Sequence, residues 1–430
     1  MRPIDNLINP AKDTLFNRYV AKEVFNDEDK YVDLRQEHFN HVWRLSYNEI
    51  GDSVLNAADL EQLENFVALR EISLNLGGYH DTSDLTITNI KQIVNTLKTF
   101  TSLKTVYIVC KLFAEADCEL SEMTQLKRLS LIQCGIVDLP MWITNLSNLE
   151  ELNLSNNKLV TLPAQLNTLT KLKVLNLNMN RLTTFSAELG FLGSLESLDL
   201  SYNQLQTLPS GFALLRELKQ LHLGWNDLME FPAAVSTLSK LELLNLEGAE
   251  NITTLPIGNL MKLKKLSVSN SKLTTISWEI GRLVNLTHLE LTNNSQLTSL
   301  PAEIGLLVNL ESLNLMANGL TELPNTIGSW VKLKELYLSD CALTSIPPEI
   351  GWLVNLEYLK LDENRLQTLP PHIGNLAHLQ HMDLSRNATL VSLPVEITYL
   401  ETLELWIMDT PLGQLIHWVD RMDNLELISY

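Results

Sequence analysis

Leucine recurs at a nearly constant interval along most of the chain. The stretch 356–378 has apolar residues at Leu356, Leu359 and Leu361 and a polar Asn364, and the pattern restarts immediately after it. A short pattern at constant spacing is typical of a repeat protein, in which each repeat packs on its neighbours. Nearly regular repeats begin at Leu103, Leu126, Leu149, Leu172, Leu195, Leu218, Leu241, Leu263, Leu286, Leu310, Leu333, Leu356, Leu379 and Leu403.

The first half of each repeat predicts a short β-strand. Alternation directs Leu359 and Leu361 inward. By the same alternation, Tyr358, Lys360 and Asp362 point outward. Successive strands are expected to pair in parallel and to form a concave sheet. The second half follows the pattern L-P-x-x-I-x-x-L, whose helix-like spacing and initial proline predict short helices or 3₁₀ turns on the convex side.

Asparagine occupies the ninth place of most repeats, where the chain leaves the strand. Its amide has donors and an acceptor, so it can satisfy backbone groups that are buried at this corner. Stacked corners predict a ladder of Asn157, Asn180, Asn203, Asn226, Asn294, Asn318, Asn364 and Asn387. Cys134 and Cys341 occupy the same place, which predicts buried structural thiols, and Cys110 joins them through a one-residue deletion. Ala249 and Ser271 interrupt the ladder where the repeats become unequal in length, so a local kink or looser stacking is expected there.

The pattern divides the chain into three predicted segments. Residues 1–38 do not fit the repeat and are expected to form an N-terminal helical cap that covers the open edge of the first repeat. Residues 39–402 form the predicted repeat array, with irregular first repeats over 39–102. Residues 403–430 form the predicted C-terminal cap.

The N-terminal part shows two departures from the repeat. Apolar residues at helical spacing predict a helix over 13–25. An insertion from Gly77 to Thr88 precedes Ile90, Ile93 and Leu97, which resume a helical face. The insertion is either a functional loop or drift near the cap, since binding residues concentrate on loops.

The consensus LxxLxLxxNxLxxLPxxIxxLxx, over about residues 69–402, resembles that of leucine-rich repeat proteins. The 23-residue LPxxI variety is similar to plant Ras-group, animal Ras-suppressor and bacterial repeats. The resemblance implies an α/β solenoid, or horseshoe, of about 15–16 repeats. It also implies that the concave face binds another protein. Disulfide caps, which extracellular members of the family often carry, have no counterpart among the cysteines here.

Composition narrows the possible partners. The formal net charge is −19 and the pI about 4.9, which argues against nucleic acid and against anionic membrane surfaces. Acidity is compatible with a basic partner surface, although it also serves solubility. The four cysteines form no CxxC pair, and neither a signal peptide nor a membrane span is evident, so a cytoplasmic location is expected. Non-classical secretion as an effector is the alternative.

Motifs for catalysis are missing from the sequence. There is no phosphate-binding loop, no HExxH and no GxSxG. His38 and His41 are three residues apart but have no evident cysteine or carboxylate partner. We therefore expect no enzyme activity, no cofactor and no metal.

Functional side chains are expected at the places that vary between repeats, since the fold uses the consensus places. The fifth and eighth places should project from the strand face. On three adjacent strands these places hold Met179, Asp199, Tyr202, His222 and Trp225. Exposed tryptophan and tyrosine often anchor protein interfaces. The alternative is that Trp225 leans on its neighbours and only shields the sheet.

A second candidate cluster is acidic and contains two aromatic rings. It could accept a basic peptide or loop, or it could be a solvated face of mixed charge. Its members are Tyr337, Asp340, Tyr358, Lys360, Asp362 and Glu363.

Taken together, the sequence predicts a non-catalytic scaffold or adaptor that binds a partner protein on its concave face. One alternative is a bacterial effector or recognition protein for a host protein, peptide or glycan. Another is a structural protein that associates with itself; the oligomeric state is not predicted.

Overall fold

The first half of each regular repeat forms a short β-strand in the computed structural model, as the alternation of leucines predicts. The structure describes residues 44–48, 68–76, 86–400, 403–414 and 425–428. The chain forms two compact units, an N-terminal unit (Met1–Asp199) and a C-terminal unit (Leu200–Tyr430).

Parallel strands run through the N-terminal unit in sequence order, each paired with the next. They are β1 (Arg44–Asn48), β2 (Glu71–Asn75), β3 (Thr105–Val109), β4 (Arg128–Ile132), β5 (Glu151–Asn153), β6 (Val174–Asn176) and β7 (Ser197–Asp199). The prediction of a parallel sheet in sequence order is confirmed here.

The C-terminal unit continues the same arrangement, again with each strand parallel to the next. Equivalent places lie opposite each other, so that Leu336, Leu359 and Met382 align across three strands. The strands are β8 (Gln220–His222), β9 (Leu243–Asn245), β10 (Lys265–Ser267), β11 (His288–Glu290), β12 (Ser312–Asn314), β13 (Glu335–Tyr337), β14 (Tyr358–Lys360), β15 (His381–Asp383), β16 (Leu403–Trp406) and β17 (Leu425–Ile428).

The second half of most repeats is a 3₁₀ helix of one to two turns, as predicted. In the N-terminal unit these helices are Met141–Asn145, Ala164–Thr168 and Ala187–Phe191. In the C-terminal unit they are Ser210–Leu214, Ala233–Thr237, Trp278–Arg282, Ala302–Leu306, Asn325–Ser329, Pro348–Trp352, Pro371–Asn375, Val395–Tyr399 and Pro411–Gln414. The proline of the LP pair usually caps the helix in extended conformation, and its carbonyl accepts the N–H of the buried isoleucine, as Pro370 does from Ile373.

The one α-helix in the described part of the chain, α1 (Ile87–Lys98), replaces the 3₁₀ helix in an early repeat. Thr86 and Asn89 form a reciprocal capping box at its start, which stabilises the first turn. Ile90, Ile93 and Leu97 are buried, which confirms the helical face predicted there. The helix begins within the insertion predicted over 77–88, and residues 77–85 lie outside the described part.

Irregular repeat spacing changes the second half of a repeat and leaves the strands paired. The repeat from Leu241 is one residue shorter than its neighbours, and it lacks the 3₁₀ helix that they have. Its strand β9 nevertheless pairs in register with β10, Leu244 opposite Leu266. One residue fewer therefore shortens the loop beside the sheet and leaves the two strands in register, while the local kink or looser stacking expected at Ala249 and Ser271 stays a prediction.

The ninth-place asparagines form the predicted ladder. The Asn364 amide nitrogen donates to the carbonyls of Leu338, Leu361 and Asp362 at 2.8, 3.1 and 3.1 Å. Its oxygen accepts the N–H of Leu343 at 3.0 Å. The carbonyls of Leu361 and Asp362 also accept from Asn387 and from the N–H of Asp340. The loss of Asn364 would therefore affect mainly the Leu338 carbonyl and the Leu343 N–H, and an unpaired buried group costs about 1–3 kcal/mol.

One rung of the ladder is incomplete. The buried amide oxygen of Asn318 has no hydrogen-bond partner, although its nitrogen donates to three carbonyls. The equivalent donor, the N–H of Leu297, instead reaches the carbonyl of Asn294 at 2.8 Å. The preceding repeat, from Leu286 to the residue before Leu310, is one residue longer than its neighbours. That extra residue turns Leu297 away from the ladder.

Several sequence predictions lie outside the described residues. These are the N-terminal cap over 1–38 with its helix at 13–25, the histidine pair His38 and His41, and a helical segment at 415–422 in the predicted C-terminal cap. The strands β16 and β17 within 403–430 extend the parallel ladder.

We expect Asn364→Ala to lower the free energy of unfolding by about 1–3 kcal/mol, because it removes four hydrogen bonds to buried backbone groups. Asn318→Ala is the matched control, since its oxygen is already unpaired. Urea denaturation of the two variants should show the larger loss for Asn364→Ala; an equal or smaller loss would contradict this account of the ladder.

Candidate functional site

The eighth place has a left-handed backbone in every repeat from Leu126 to Leu379. The φ angle lies between 51° and 57° at Gln133, Asn156, Met179, Tyr202, Trp225, Asn270, Asn293, Ala317, Asp340, Glu363 and Arg386, and it is 72° at Gly248. This conformation lets the chain turn out of the strand, and its N–H donates to the next repeat, as Glu363 does to the carbonyl of Ser385 at 2.9 Å. Left-handed backbone favours glycine, asparagine and aspartate, which explains their frequency at this place.

Tyr202 and Trp225 occupy the left-handed place in two successive repeats of the C-terminal unit. Their rings are stacked, with centroids 5.8 Å apart and planes inclined by 16°. The two side chains remain 48% and 40% exposed. We call this pair the aromatic platform.

Gly248 supports the platform from the following repeat. A Cβ atom at this position would lie 2.7 Å from Cδ2 of Trp225, closer than real contacts allow. The ring therefore lies directly against the glycine backbone, whose φ of 72° also favours glycine. Trp225 therefore packs against its neighbours, which is part of the alternative in which it only shields the sheet. Its ring nevertheless stays largely exposed.

The remaining members of the first cluster divide between the two units. His222 is half-buried at the end of β8, in the same unit as the platform. Met179 and Asp199 belong to the N-terminal unit: Met179 is 47% exposed at a left-handed position, and Asp199 is half-buried at the end of β7. The structure thus brings Tyr202, His222 and Trp225 together in one unit.

The second cluster lies on β13 and β14 of the C-terminal unit and on the turns that follow them. Glu335 is opposite Tyr358, and Tyr337 is opposite Lys360. Burial raises the pKa of the Tyr337 hydroxyl, and Glu335 adds to the effect.

Two acidic members of this cluster, Asp340 and Glu363, occupy left-handed places. Both are exposed. Glu363 forms an ion pair with Arg386 of the next repeat.

Asp362 is less exposed than the alternation predicts. Its side chain is half-buried and accepts a hydrogen bond from the hydroxyl of Ser339. The strand ends at Lys360, so alternation no longer applies at the seventh place, where the equivalent Ser339 and Ser385 are buried. The pKa of the Asp362 carboxyl is raised, because loss of solvation on burial outweighs the hydrogen bond from Ser339, which by itself lowers the pKa.

A groove beside this cluster contains residues that the sequence analysis missed. It has a volume of about 330 Å³ and is lined by Tyr358, Leu359, Lys360, His381, Met382, Asp383, Glu404 and Trp406. His381, Glu404 and Trp406 were not among the predicted residues. His381 is at the third place of its repeat, like Tyr358 opposite it. Glu404 and Trp406 lie opposite His381 and Asp383, although a repeat start at Leu403 assigns them to the second and fourth places, so the sequence numbering concealed them.

The cysteines are structural, as predicted for Cys134 and Cys341. The Cys134 thiol lies 3.4 Å from the carbonyl of Ile132, and the Cys341 thiol lies 3.3 Å from that of Leu315. All four cysteines are buried and free. Burial raises the pKa of Cys110 and of Cys341 to about 11, and it raises the pKa of Cys134 still further.

The described residues were also searched for metal and membrane sites. They contain no group of three or more histidine, cysteine or acidic side chains able to hold a metal ion. None of their helices is long and apolar enough to cross a membrane.

Family models match the array along most of its length. A leucine-rich repeat region model matches residues 163–279, a leucine rich repeat model matches 261–320 and 331–404, and a further leucine rich repeat model matches 148–169. No curated protein matches the sequence.

Solved structures with the same fold include a leucine-rich repeat protein of Leptospira interrogans, with 30% identity and a TM-score of 0.78 over 91% of this chain and 97% of that one. The chain therefore belongs to the leucine-rich repeat family, and its fold is the solenoid that the repeat predicts.

More distant structures share the fold alone. The plant peptide hormone receptor RGFR1, solved in complex with RGF2, has 22% identity and a TM-score of 0.56, over 85% of this chain and 65% of that one. TLR13, solved in complex with ssRNA13, has 22% identity and a TM-score of 0.68, over 88% of this chain and 56% of that one.

We expect Asp362→Asn to stabilise the protein at pH 7. The folded state raises the carboxyl pKa above its ordinary 3.8, so ionisation is less favourable in the folded than in the unfolded chain. The resulting destabilisation is absent below pH 3.8 and complete above the raised folded pKa. Asparagine keeps an oxygen for Ser339, so the melting midpoint should rise at pH 7 and converge with that of the native chain at acidic pH.

Glu322→Gln, at an exposed position of the same unit, is the control for loss of one negative charge. A fall in the melting midpoint of Asp362→Asn at pH 7, or a rise no greater than that of Glu322→Gln, would contradict the burial argument.

The folded protein should resist thiol reagents. A pKa raised from 9.0 to about 11 at Cys341 lowers the thiolate fraction at pH 8 by about 100-fold, and burial blocks access as well. Titration with Ellman's reagent should detect little thiol in buffer and four thiols per chain in guanidinium. Rapid labelling of Cys341 in the folded chain would show that the site opens.

Proposed function

We propose that this protein is a non-catalytic scaffold that binds a partner protein through the exposed face of its sheet, with the aromatic platform as the main contact. The observation that carries the proposal is the placement of two large aromatic rings at left-handed backbone positions. For a residue with a Cβ atom this conformation costs about 1–2 kcal/mol, and asparagine serves the same place at Asn270 and Asn293. The fold does not need the rings there.

The geometry of the platform suits a binding anchor. Tyrosine and tryptophan are the residues most often responsible for binding energy in protein interfaces. The stack with Tyr202 and the contact with Gly248 hold Trp225 in one orientation before a partner arrives. Little conformational entropy is then lost on binding.

Charge favours a protein partner over nucleic acid. The formal net charge of −19 opposes binding to phosphate backbones and to anionic membranes. A partner with a basic surface is compatible with it. We further propose a reducing compartment such as the cytoplasm, because the buried cysteines are all free.

The test replaces both platform residues with asparagine. Tyr202→Asn/Trp225→Asn removes the rings but suits the left-handed backbone, so we expect the variant to fold with a melting midpoint close to that of the native chain. Affinity purification of tagged chain from its native cells, with quantitative mass spectrometry, should show a partner captured by the native chain. Its recovery by the variant should fall at least about tenfold, as loss of an interface anchor implies.

Trp352→Ala is the matched control, because this tryptophan is 61% exposed on a 3₁₀ helix away from the strands. It should retain the partner. Equal recovery by the platform variant, or a glycan or small ligand as the only molecule that co-purifies, would contradict the proposal.

A further inference from the structure

The groove between the outward rows of strands β14, β15 and β16 is built from paired side chains. One row consists of Tyr358, His381 and Glu404, which lie opposite one another in register. The other row consists of Lys360, Asp383 and Trp406. The backbone of Leu359 and Met382 lies between the rows, since their side chains are buried on the inward face of the sheet.

The first wall is held rigid by direct contacts. The rings of Tyr358 and His381 are stacked, with centroids 4.6 Å apart and planes inclined by 12°. Nδ1 of His381 lies 2.7 Å from Oε2 of Glu404. The wall therefore presents an aromatic pair followed by a carboxylate of fixed orientation.

Trp406 connects the two walls at one end of the groove. Its indole N–H donates to Oε1 of Glu404 at 3.0 Å, and its side chain is 37% exposed. The ring thus closes the groove next to the carboxylate that it orients.

Charge in the groove is predominantly negative. Asp383 and Glu404 carry carboxylates, against the single ammonium group of Lys360. Oδ1 of Asp383 accepts the N–H of Ser385 at 3.0 Å, and its carboxylate forms no salt bridge within the described part of the chain, so its charge is available to a ligand. Because Asp383 separates Lys360 from Trp406 in the row, a cation is best accommodated at the Trp406 end.

The volume of the groove suits a small group. Small-molecule sites usually enclose about 300–1,000 Å³, and this groove has about 330 Å³. A planar cation matches both the aromatic rings and the pair of carboxylates, because a guanidinium group can stack on a ring and donate several N–H bonds at once. An ammonium group is a more strongly hydrated point charge and stacks less well.

We propose that this groove binds the guanidinium group of an arginine side chain presented by a partner protein, with Asp383 and Glu404 as acceptors and Trp406 as the stacking surface. The assignment rests on the proposed function only in that the arginine belongs to a protein. It does not depend on the aromatic platform, which lies on other repeats.

The experiment uses the full chain labelled with 5-fluorotryptophan, followed by fluorine NMR. The Trp406 resonance is assigned from its loss in Trp406→Phe. The probes are the capped peptide acetyl-Gly-Arg-Gly-amide and its lysine and citrulline counterparts. The arginine peptide should shift the Trp406 resonance in a saturable way, the lysine peptide should bind more weakly, and the neutral citrulline peptide should leave the resonance unshifted.

Substitutions inside and outside the groove distinguish binding in the groove from attraction to the negative charge of the whole protein. Asp383→Asn and Glu404→Gln should each weaken arginine binding about tenfold, as expected for the loss of a charge-assisted contact. Glu290→Gln removes a charge at an exposed place on β11, outside the groove, and should leave the affinity unchanged. The other tryptophan resonances report whether each variant is folded.

Several outcomes would overturn the assignment. These are an unshifted Trp406 resonance at saturating peptide, equal binding of the citrulline peptide, and equal weakening by Glu290→Gln. Tighter binding of free L-arginine than of the capped peptide would instead identify a small-molecule site. The platform variant Tyr202→Asn/Trp225→Asn should bind the arginine peptide normally, so a failure of the platform proposal would leave this result intact.

Discussion

Satisfaction of buried backbone groups at the corner of each repeat is the constraint on which the structure depends. Stacking the strands in parallel encloses the peptide groups where the chain turns away from the sheet. A ninth-place asparagine such as Asn364 offers donors and an acceptor to those groups and connects its own repeat to the one before. Where cysteine takes this place, as at Cys341, a thiol and the surrounding apolar packing fill the corner.

The same corner determines what the protein can display. To leave the strand, the chain adopts a left-handed backbone at the eighth place, directly before the asparagine. Side chains at that place extend beyond the strand and do not pack in the core. Small polar residues suit this backbone best, and Tyr202 and Trp225 occupy it in successive repeats. Their position there is the basis of the binding role that we propose for them.

Irregular repeats show how firmly the sheet is maintained. In the shortened repeat from Leu241 the loss of one residue removes a 3₁₀ helix, and β9 still pairs with β10. In the lengthened repeat from Leu286 the additional residue leaves the Asn318 oxygen without its donor. A residue lost from or added to a repeat therefore changes the loop beside or after the strand and leaves the strand itself paired. The exposed face keeps its rows of equivalent places, and those rows can carry different surfaces, such as the aromatic platform and the acidic groove.

The sequence by itself determined the family, the parallel order of strands, the 3₁₀ turns and the buried roles of Asn364 and Cys341, because a constant repeat period assigns each place a fixed environment. It also selected Tyr202 and Trp225 as residues to test. The tertiary structure decided how side chains one repeat apart meet across the sheet. Neither the support of Trp225 by Gly248 nor the groove that Trp406 closes could be read from the period, since both depend on ring orientation. The half-buried state of Asp362 likewise follows from where the strand ends, which alternation alone does not specify.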